Sequence, residues 1–525
     1  MNSRQPLFLL EINTPHIADW SFFQNLTTFI KKYHFQGIII HQQNLLAQLA
    51  RASPRCRPSD ITNLNLSREN TLLLLKKISD YCDEHNLQLW LQGEATPDCT
   101  EIRKKFPEFF LNDSNKADFI YYFFQHSIAD ILERLPSVRG LRLSLSTEDV
   151  GARQWTEALA ILYRNIRRLG RQLILRDYQD KTWPRQMLRT TLEALPADVR
   201  ASVKTTELDY RPGFATNPNL LNITGNKKWL EIDLWGLDYG WTLLPCYLLD
   251  EFQQRLQWLN HEPDSAPEAI TVRIDWEWLP QLSLRDSINE VNLYGLSRLI
   301  HEPDISPRQL LLDWLHLNGN GQLTHRTAQQ IGDVIAASYE WSCITPNLLG
   351  RVLQSRSQPP ANIEHALRLL HLDTRSANWT QSFQPLMPSD DPALGRQQCQ
   401  LIELENQRSR FLADYMSTRS VKLLSSSGLT EQIIQNIGGS IIRAQKYTII
   451  YYDFIQALTL KLLLRKYGQQ HDTQLQLDEA LALFAKHNHQ LREWYATEGG
   501  HHPYSFQTLL NPERISELIT SLHND

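Results

Sequence analysis

Eight short apolar runs in the first three hundred residues constrain the fold most strongly. They are rich in β-branched residues, which favour strands, and segments with helical periodicity separate them. The runs are LFLLEIN (7–13), GIIIHQQ (37–43), LQLWLQGE (87–94), GLRLSLSTE (140–148), RQLILRDY (171–178), RASVKTTELD (200–209), WLEIDLWGLDYG (229–240) and ITVRIDWEW (270–278). The pattern predicts eight strands.

Helical candidates lie between these runs, at 19–33, 67–86, 153–170 and 243–259. Alternation of strands and helices predicts parallel pairing through right-handed crossovers, and eight such units predict a (β/α)8 TIM barrel. A doubly wound α/β sheet is the structural alternative. It is disfavoured because no glycine-rich phosphate loop follows the first run.

Beyond about residue 305 the pattern becomes helical and predicts no further strand. The helical candidates are 307–317, 325–341, 361–370, 393–417, 429–467 and 475–496. We therefore expect a barrel domain over residues 1–304 and an all-α C-terminal domain over residues 305–525, which offers a surface for a homodimer.

Composition excludes several classes of protein. A net charge of −5 gives no basic excess, so we expect neither a nucleic-acid nor a membrane partner. The N-terminal residues lack the features of a signal peptide, and no run is long enough to span a bilayer, so the sequence predicts a cytoplasmic protein. The six cysteines lack CxxC spacing and are expected to be free thiols.

Polar residues recur late in, or just after, the predicted strands, among them Glu11, His41, Gln92 and Arg176. Because the active site of a TIM barrel lies at the carboxyl ends of its strands, these residues are the candidates for chemistry. Opposed carboxylates with tryptophans nearby suit glycoside hydrolysis, in which one acid protonates the leaving oxygen and another carboxylate activates water or attacks the anomeric carbon. Trp276 is a candidate for stacking on a sugar ring.

Other chemistries have weaker support. His41 stands alone at its strand end, and the histidines of GGHHPY (499–504) have no carboxylate pair nearby, so we predict no metal and no cofactor. Neither a GxSxG elbow nor a cysteine with a matching histidine motif is present to support nucleophilic serine or cysteine catalysis.

Four segments carry a resemblance to a known family. NEVNLYGLSRLIHEPDISPRQLLLDWL (289–315) resembles the end of the barrel in family 67 α-glucuronidases, where the chain leads into a helical domain. VKTTELDYRPGFATNPNL (203–220), EIDLWGLDYG (231–240), and SLSTED (144–149) followed by ILRDY (174–178) resemble further segments of that family in the same order. The resemblance covers roughly residues 140–315 and implies an inverting glycosidase for a uronic acid.

The resemblance also implies site residues. Glu148 falls at the general acid and Asp209 at one of two carboxylates that orient or deprotonate water, while Lys204 and Arg176 fall at cations that contact the substrate. Cations suit a uronic acid because its carboxylate requires a charge-assisted partner. We also place Arg211, Glu94 and Trp276 among the residues that bind substrate.

The chain departs from that family in three places. The second basic carboxylate falls at Leu237, with Asp238 beside it as the candidate replacement, and Ser144 stands where the family has a lysine. The β-sandwich domain that precedes the family's barrel is not expected, since the first run begins near residue 7.

These departures leave three interpretations open. The first is an α-glucuronidase-like hydrolase that cleaves a short oligosaccharide. The second is a catalytically weakened or silent glycosidase relative that binds a carbohydrate or a protein partner. In the third, hydrolysis is kept but the sugar differs, with Glu94, Asp275 or Glu277 taking part. The nonfunctional alternatives for the site residues are ion pairs with neighbours and, for Glu148, helix capping.

Overall fold

The computed structural model describes most of the chain. The described residues are 5–42, 44–95, 99–110, 116–145, 152–176, 187–206, 210–262, 265–372, 390–468, 470–497 and 504–524.

Eight parallel strands form a closed barrel, in which each strand pairs with the next along the chain and β8 pairs with β1. The predicted (β/α)8 barrel, followed by helices, is confirmed. The strands are β1 (Leu7–Ile12), β2 (Gly37–His41), β3 (Gln88–Glu94), β4 (Val138–Ser144), β5 (Gln172–Arg176), β6 (Arg200–Lys204), β7 (Lys228–Asp233) and β8 (Ala269–Arg273). Several end before the apolar runs do, so many of the polar residues lie in loops at the carboxyl ends.

Helices connect or follow the strands. They are α1 (Trp20–Lys32), α2 (Leu45–Leu49), α3 (Pro58–Glu84), α4 (Thr100–Lys105), α5 (Lys116–Tyr122), α6 (Ile128–Arg134), α7 (Ala152–Arg168), α8 (Met187–Glu193), α9 (Asn219–Asn222), α10 (Leu249–His261) and α11 (Glu290–Leu299). Helix α3 begins earlier than predicted, with Pro58 at its first position, where the ring fixes a helical φ. Helix α10 begins later than predicted, at Leu249, and Pro245 lies within the predicted segment, where it lacks the backbone N–H of a helical hydrogen bond.

The barrel interior has two layers of different chemistry. The lower layer is an apolar cluster formed by Leu9, Ile39, Trp90, Ile174, Trp229 and Ala269. Side chains two residues apart on a strand point to the same face. Two residues nearer the carboxyl end of the same strands stand Glu11, His41, Gln92, Arg176, Glu231 and Thr271, all buried. The side chains that fill the interior therefore change from apolar to charged over two residues of each strand.

Gly140 is the residue of β4 that faces Trp90. A Cβ at this position would lie 2.7 Å from Cζ3 of Trp90 and 2.3 Å from the carbonyl oxygen of Gln172. Both distances are too short for a real contact, so glycine is required for the Trp90 indole to fit beside Trp229, with ring centres 4.7 Å apart in an edge-to-face arrangement.

Helices form most of the chain after α11. They are α12 (Pro307–Leu317), α13 (His325–Ile344), α14 (Ile363–Leu372), α15 (Pro392–Leu424), α16 (Glu431–Tyr467), α17 (His471–Thr497), α18 (Tyr504–Leu509) and α19 (Pro512–Asn524). The Asp391 side chain caps α15 by accepting from the Ala393 backbone N–H at 2.8 Å. All six predicted helical segments of this region lie on helices of the structure.

The expectation of no strand beyond residue 305 is wrong for one short hairpin. Strands β9 (Asn347–Leu348) and β10 (Arg351–Val352) pair antiparallel. Leu349 and Gly350 form the turn, with φ of 46° and 77°, as a two-residue hairpin turn of this hand requires. Leucine at the first turn position is an uncommon choice, so the sequence carried no hairpin signal.

The chain forms two compact units. The first contains residues 1–208, 216–233 and 255–280, and the second contains residues 209–215, 234–254 and 281–525. All eight barrel strands belong to the first unit. The units are not separated by a single cut of the chain, and the boundary between residues 304 and 305 stays a prediction.

No helix within the described residues has both the length and the apolar composition needed to cross a bilayer.

Candidate active site

Arg142 of β4 lies at the centre of the charged layer. Its guanidinium donates to Glu11 of β1 and to the Gln92 side-chain oxygen, and at 3.1 Å to the Thr271 hydroxyl. Its Nη1 lies 3.6 Å from Oε1 of Glu231. Arg142 is fully buried. One cation on one strand therefore holds two carboxylates from the opposite wall of the barrel.

Glu231 of β7 is held by a second arginine. Nε of Arg176 donates to both carboxylate oxygens, at 3.0 and 2.8 Å, and the Ser202 hydroxyl donates to Oε1 at 2.6 Å. Burial acts to raise the pKa of Glu231, but Arg176 and Arg142 outweigh it and lower the pKa below its ordinary value. Glu231 is accordingly an anion at neutral pH.

His41 is held as a neutral imidazole. Burial lowers its pKa even though Glu11 acts in the opposite sense. Nδ1 lies 2.7 Å from Oε1 of Glu11, and Nε2 lies 3.0 Å from the side-chain nitrogen of Gln92. The matching assignment puts the proton on Nδ1 and lets Nε2 accept from Gln92. Burial acts to raise the pKa of Glu11, yet Arg142 and the His41 hydrogen bond hold it well below its usual range.

A third ion pair lies at the carboxyl ends of β7 and β8. Nε of Arg273 donates to Oδ1 of Asp233 at 3.1 Å. The guanidinium carbon of Arg273 lies 4.5 Å from the Trp276 ring centre, in cation–π contact. Trp276 is half-buried and also meets the His41 ring edge-on, with 6.3 Å between ring centres. Arg273 and His41 thus cover part of the indole that the sequence suggested for sugar stacking.

Asp275 follows β8 and is buried. Its Oδ1 accepts from the backbone N–H groups of Asn13 and Thr14, at 2.8 and 3.2 Å. Among the described residues, Oδ2 has no hydrogen-bond partner. Burial raises the pKa of Asp275 to about 7, because desolvation outweighs those two hydrogen bonds. This carboxyl group is a candidate proton donor near neutral pH.

Glu148 and Asp209, the two leading catalytic predictions, lie outside the described residues. They follow β4 and β6, whose last residues are Ser144 and Lys204. Lys204 is buried, and Glu94, the last residue of β3, is half-buried. These roles stay predictions, as does substrate contact by Arg176, which the structure places in an ion pair with Glu231.

Asp238 and Arg211 belong to the second unit, where Nη2 of Arg211 donates to Oδ1 of Asp238 at 2.9 Å. The structure thus provides the ion pair that the sequence left open as an alternative for Asp238. Their catalytic and substrate-binding roles stay predictions.

The loop carrying Asp238 is fixed by residues of the same unit. The Ser357 hydroxyl donates to the Leu237 carbonyl at 2.9 Å and accepts from the Gly240 N–H at 2.8 Å. Gln354 donates to the Asp238 carbonyl. Ser357 has a φ of 58°, a backbone strain of about 1 kcal/mol for a residue with a Cβ. Its hydroxyl therefore has a positional use that glycine could not supply.

Sequence reasoning missed several members of the charged layer. They are Arg142, Ser202, Glu231, Asp233 and Arg273. The sequence contains a signal for them. Each lies inside an apolar run, an even number of positions from the inward-facing residues of its strand, and therefore points into the barrel. The prediction uses position along the strand, and inward parity within the strand is the signal that finds these further residues.

No group of three or more possible metal ligands occurs among the described residues.

Comparison with known proteins places this fold among solved structures. No family model matches the chain, and no curated protein matches it significantly. A GH138 enzyme targeting pectin rhamnogalacturonan II is similar in structure, with a TM-score of 0.70 and 11% identity over 98% of this chain and 84% of that chain. Dispersin B matches with a TM-score of 0.33 and 10% identity over 57% of this chain and 99% of that chain.

At 11% identity, the first match establishes a shared fold that includes both the barrel and the helices after it. This match shows the fold alone and does not single out family 67, whose resemblance rests on the sequence segments alone.

Proposed function

We propose that this protein is a glycoside hydrolase acting on an acidic oligosaccharide at the carboxyl ends of its barrel strands. The observation that carries the proposal is the charged layer, in which arginines from β4, β5 and β8 meet carboxylates from β1 and β7. The shared fold with a GH138 enzyme supports it, because that enzyme targets a pectin. Active sites of TIM barrels lie at this end.

The cations explain the choice of an acidic sugar. Arg176, Arg273 and Lys204 stand at the carboxyl ends of β5, β8 and β6. A uronic acid carboxylate gains charge-assisted hydrogen bonds from such groups, and arginine binds it in a bidentate manner. With a neutral sugar, these cations would have no substrate charge to bind and would pair only with carboxylates of the protein.

Glu148 would donate a proton to the glycosidic oxygen as its bond to the anomeric carbon breaks. Asp209 would remove a proton from the water that attacks that carbon. The leaving group then departs as an alcohol and the sugar gains a hydroxyl, so neither product carries a charge at the cleaved bond. The resemblance to the α-glucuronidases suggests inversion, for which a carboxyl separation of about 6.5–9.5 Å is expected.

Asp275 is the described alternative to Glu148 as proton donor. A carboxyl group with a pKa of about 7 is protonated in a substantial fraction of molecules at neutral pH. Glu94 and Glu277 are further acids near strand ends, and they complete the third interpretation in which the sugar differs.

The test uses reducing-end-labelled oligosaccharides. The panel contains glucuronic-acid-capped fragments, fragments of rhamnogalacturonan II, and neutral oligosaccharides of matched length. We expect turnover of an acidic substrate, and a fall of about 100-fold or more for Glu148→Gln and for Asp209→Asn. Glu193→Gln, on an exposed helix face, is the matched control and should keep full activity.

Proton NMR of the first product would read the anomeric configuration. No turnover of any acidic substrate by folded protein would contradict the proposal. Loss of activity in Asp275→Asn with retention in Glu148→Gln would assign the proton donor to Asp275, in the segment after β8.

A catalytically silent, carbohydrate-binding relative is the second candidate. The observation that favours it is the pairing of barrel carboxylates with arginines, as in Glu11 with Arg142, Glu231 with Arg176, and Asp233 with Arg273. Calorimetric binding of an acidic oligosaccharide without cleavage would favour this candidate. The cytoplasmic location also stays a prediction.

A further inference from the structure

Helix α15 carries an exposed apolar stripe on the second unit. Leu394, Leu401, Leu404 and Phe411 are each between 50% and 61% exposed. No other described helix carries more than two large apolar side chains that are more than a third exposed. An exposed apolar row of this kind is typical of an interaction surface.

The spacing of the stripe is that of a helix–helix seam. The four residues are separated by seven, three and seven positions, which is the a/d pattern of a heptad repeat. Such a row faces one side of the helix, over about 26 Å of its length. The stripe is therefore suited to packing against another helix.

The spacing of the four residues is the same from either end of the helix. In an antiparallel pair of α15 helices related by a two-fold axis, Leu394 lies opposite Phe411 of the other copy, and Leu401 opposite Leu404. Every apolar residue of the stripe then meets an apolar residue. A two-fold interface requires this self-complementarity, which an unrelated partner would not.

The charges of α15 disfavour a parallel pair. The first half of α15 (residues 392–407) contains one arginine and two glutamates, whereas the second half (408–424) contains three arginines, one lysine and one aspartate. The antiparallel pairing overlaps residues 392–413 of the two copies, so Arg419 and Lys422 lie beyond the overlap, and it aligns the helix dipoles favourably. Parallel packing would bring the two basic halves together.

Gln397 and Arg408 fill the other a and d positions between these residues, and the charged one already has a partner. Arg408 donates two hydrogen bonds of 2.7 Å to Glu340 of α13, and its guanidinium lies 5.3 Å from the Phe411 ring centre. Its charge is thus neutralised within one chain, and its stem covers the edge of the stripe. Arg408 therefore keeps its ion pair when a second copy packs here.

We propose that a second copy of this chain covers the stripe, through an antiparallel two-fold pairing of α15 helices. The partner is the chain itself, and the interface does not depend on the proposed function.

Sedimentation equilibrium of the full-length chain measures the association. We expect a mass near twice 61.1 kDa at micromolar concentration. The double variant Leu401→Glu with Leu404→Glu should raise the dissociation constant by about 100-fold or more, because each copy buries two carboxylates in an apolar seam. Leu66→Glu with Leu73→Glu, two equally exposed leucines of α3, is the matched control and should leave the mass unchanged.

Disulfide trapping tests the direction of the helices. Leu404→Cys should cross-link to its own counterpart on mild oxidation, since the two positions are offset by only about 4.5 Å along the paired helices. Phe411→Cys should not, because its counterparts are offset by about 26 Å. Wild-type protein, which has six free cysteines, gives the background.

Three results would overturn the proposal. A monomer at all concentrations would exclude the pairing. A dimer equally weakened by the α3 control would place the interface elsewhere, and efficient cross-linking at both cysteine positions would indicate parallel helices.

Discussion

The two layers of the barrel interior differ in what they contribute, although only two residues of each strand separate them. The lower layer of Leu9, Ile39, Trp90 and their neighbours removes apolar surface from water, which favours folding. The upper layer buries arginines and carboxylates, whose desolvation offsets most of their mutual attraction. A layer of this kind is poor at stabilising a fold, and the proposed function assigns it to chemistry at the strand ends.

The strongest test of this contrast removes the central cation. Arg142→Met should lower the free energy of unfolding by about 3–5 kcal/mol, because Glu11 and Glu231 are left buried beside one cation fewer. Urea unfolding measures this change in the free energy of unfolding. Arg168→Met, which breaks only the exposed pair with Glu133, should change stability by less than about 1 kcal/mol. An equal effect in both variants would mean that the charged layer is better hydrated than its burial indicates.

The lower layer should respond to lost volume. Ile39→Ala should lower the free energy of unfolding by about 2–4 kcal/mol through lost burial and an unfilled cavity. Ile39→Val, the conservative control, should lose about 0.5–1.5 kcal/mol. Turnover by the folded fraction of either variant should match wild type. A selective loss of turnover would show that the lower layer also shapes the site.

Asp275 should make stability depend on pH. Its native pKa of about 7 lies above the value of about 3.9 in an unfolded chain, so the native state holds the extra proton in between. Stability should therefore fall as pH rises from 5 to 7, by at most about 1.4 kcal/mol per pH unit from this group. Urea unfolding of Asp275→Asn across this range should lack that component. Parallel curves for the two proteins would contradict the raised pKa.

The smallest expected effect is at Ser202. Ser202→Ala removes the 2.6 Å hydrogen bond to Glu231 and should lower the free energy of unfolding by about 1 kcal/mol, since Arg176 still holds the carboxylate. The control is Ser137→Ala, whose hydroxyl bonds Asp83 at the surface and should matter less. A loss above about 3 kcal/mol would mean that the serine organises the whole layer.

Periodicity predicted the barrel because the alternation of strand and helix repeats eight times and leaves few topologies. It also located Glu11, His41, Gln92 and Arg176 near the strand ends. The pairing partners of these residues were not predicted, since Arg142 and Glu11 are 131 positions apart and meet only when the barrel closes.

The order of strands and helices, the inward parity of each strand and the heptad spacing of α15 are determined by the sequence, because each depends on residues that are close along the chain. The tertiary structure decided which charges meet, that His41 is neutral, that the pKa of Asp275 is raised, and that Asp238 pairs with Arg211. The reason is physical. Burial and opposite charge set these properties, and both come from strands and loops far apart in sequence that folding brings within hydrogen-bond distance.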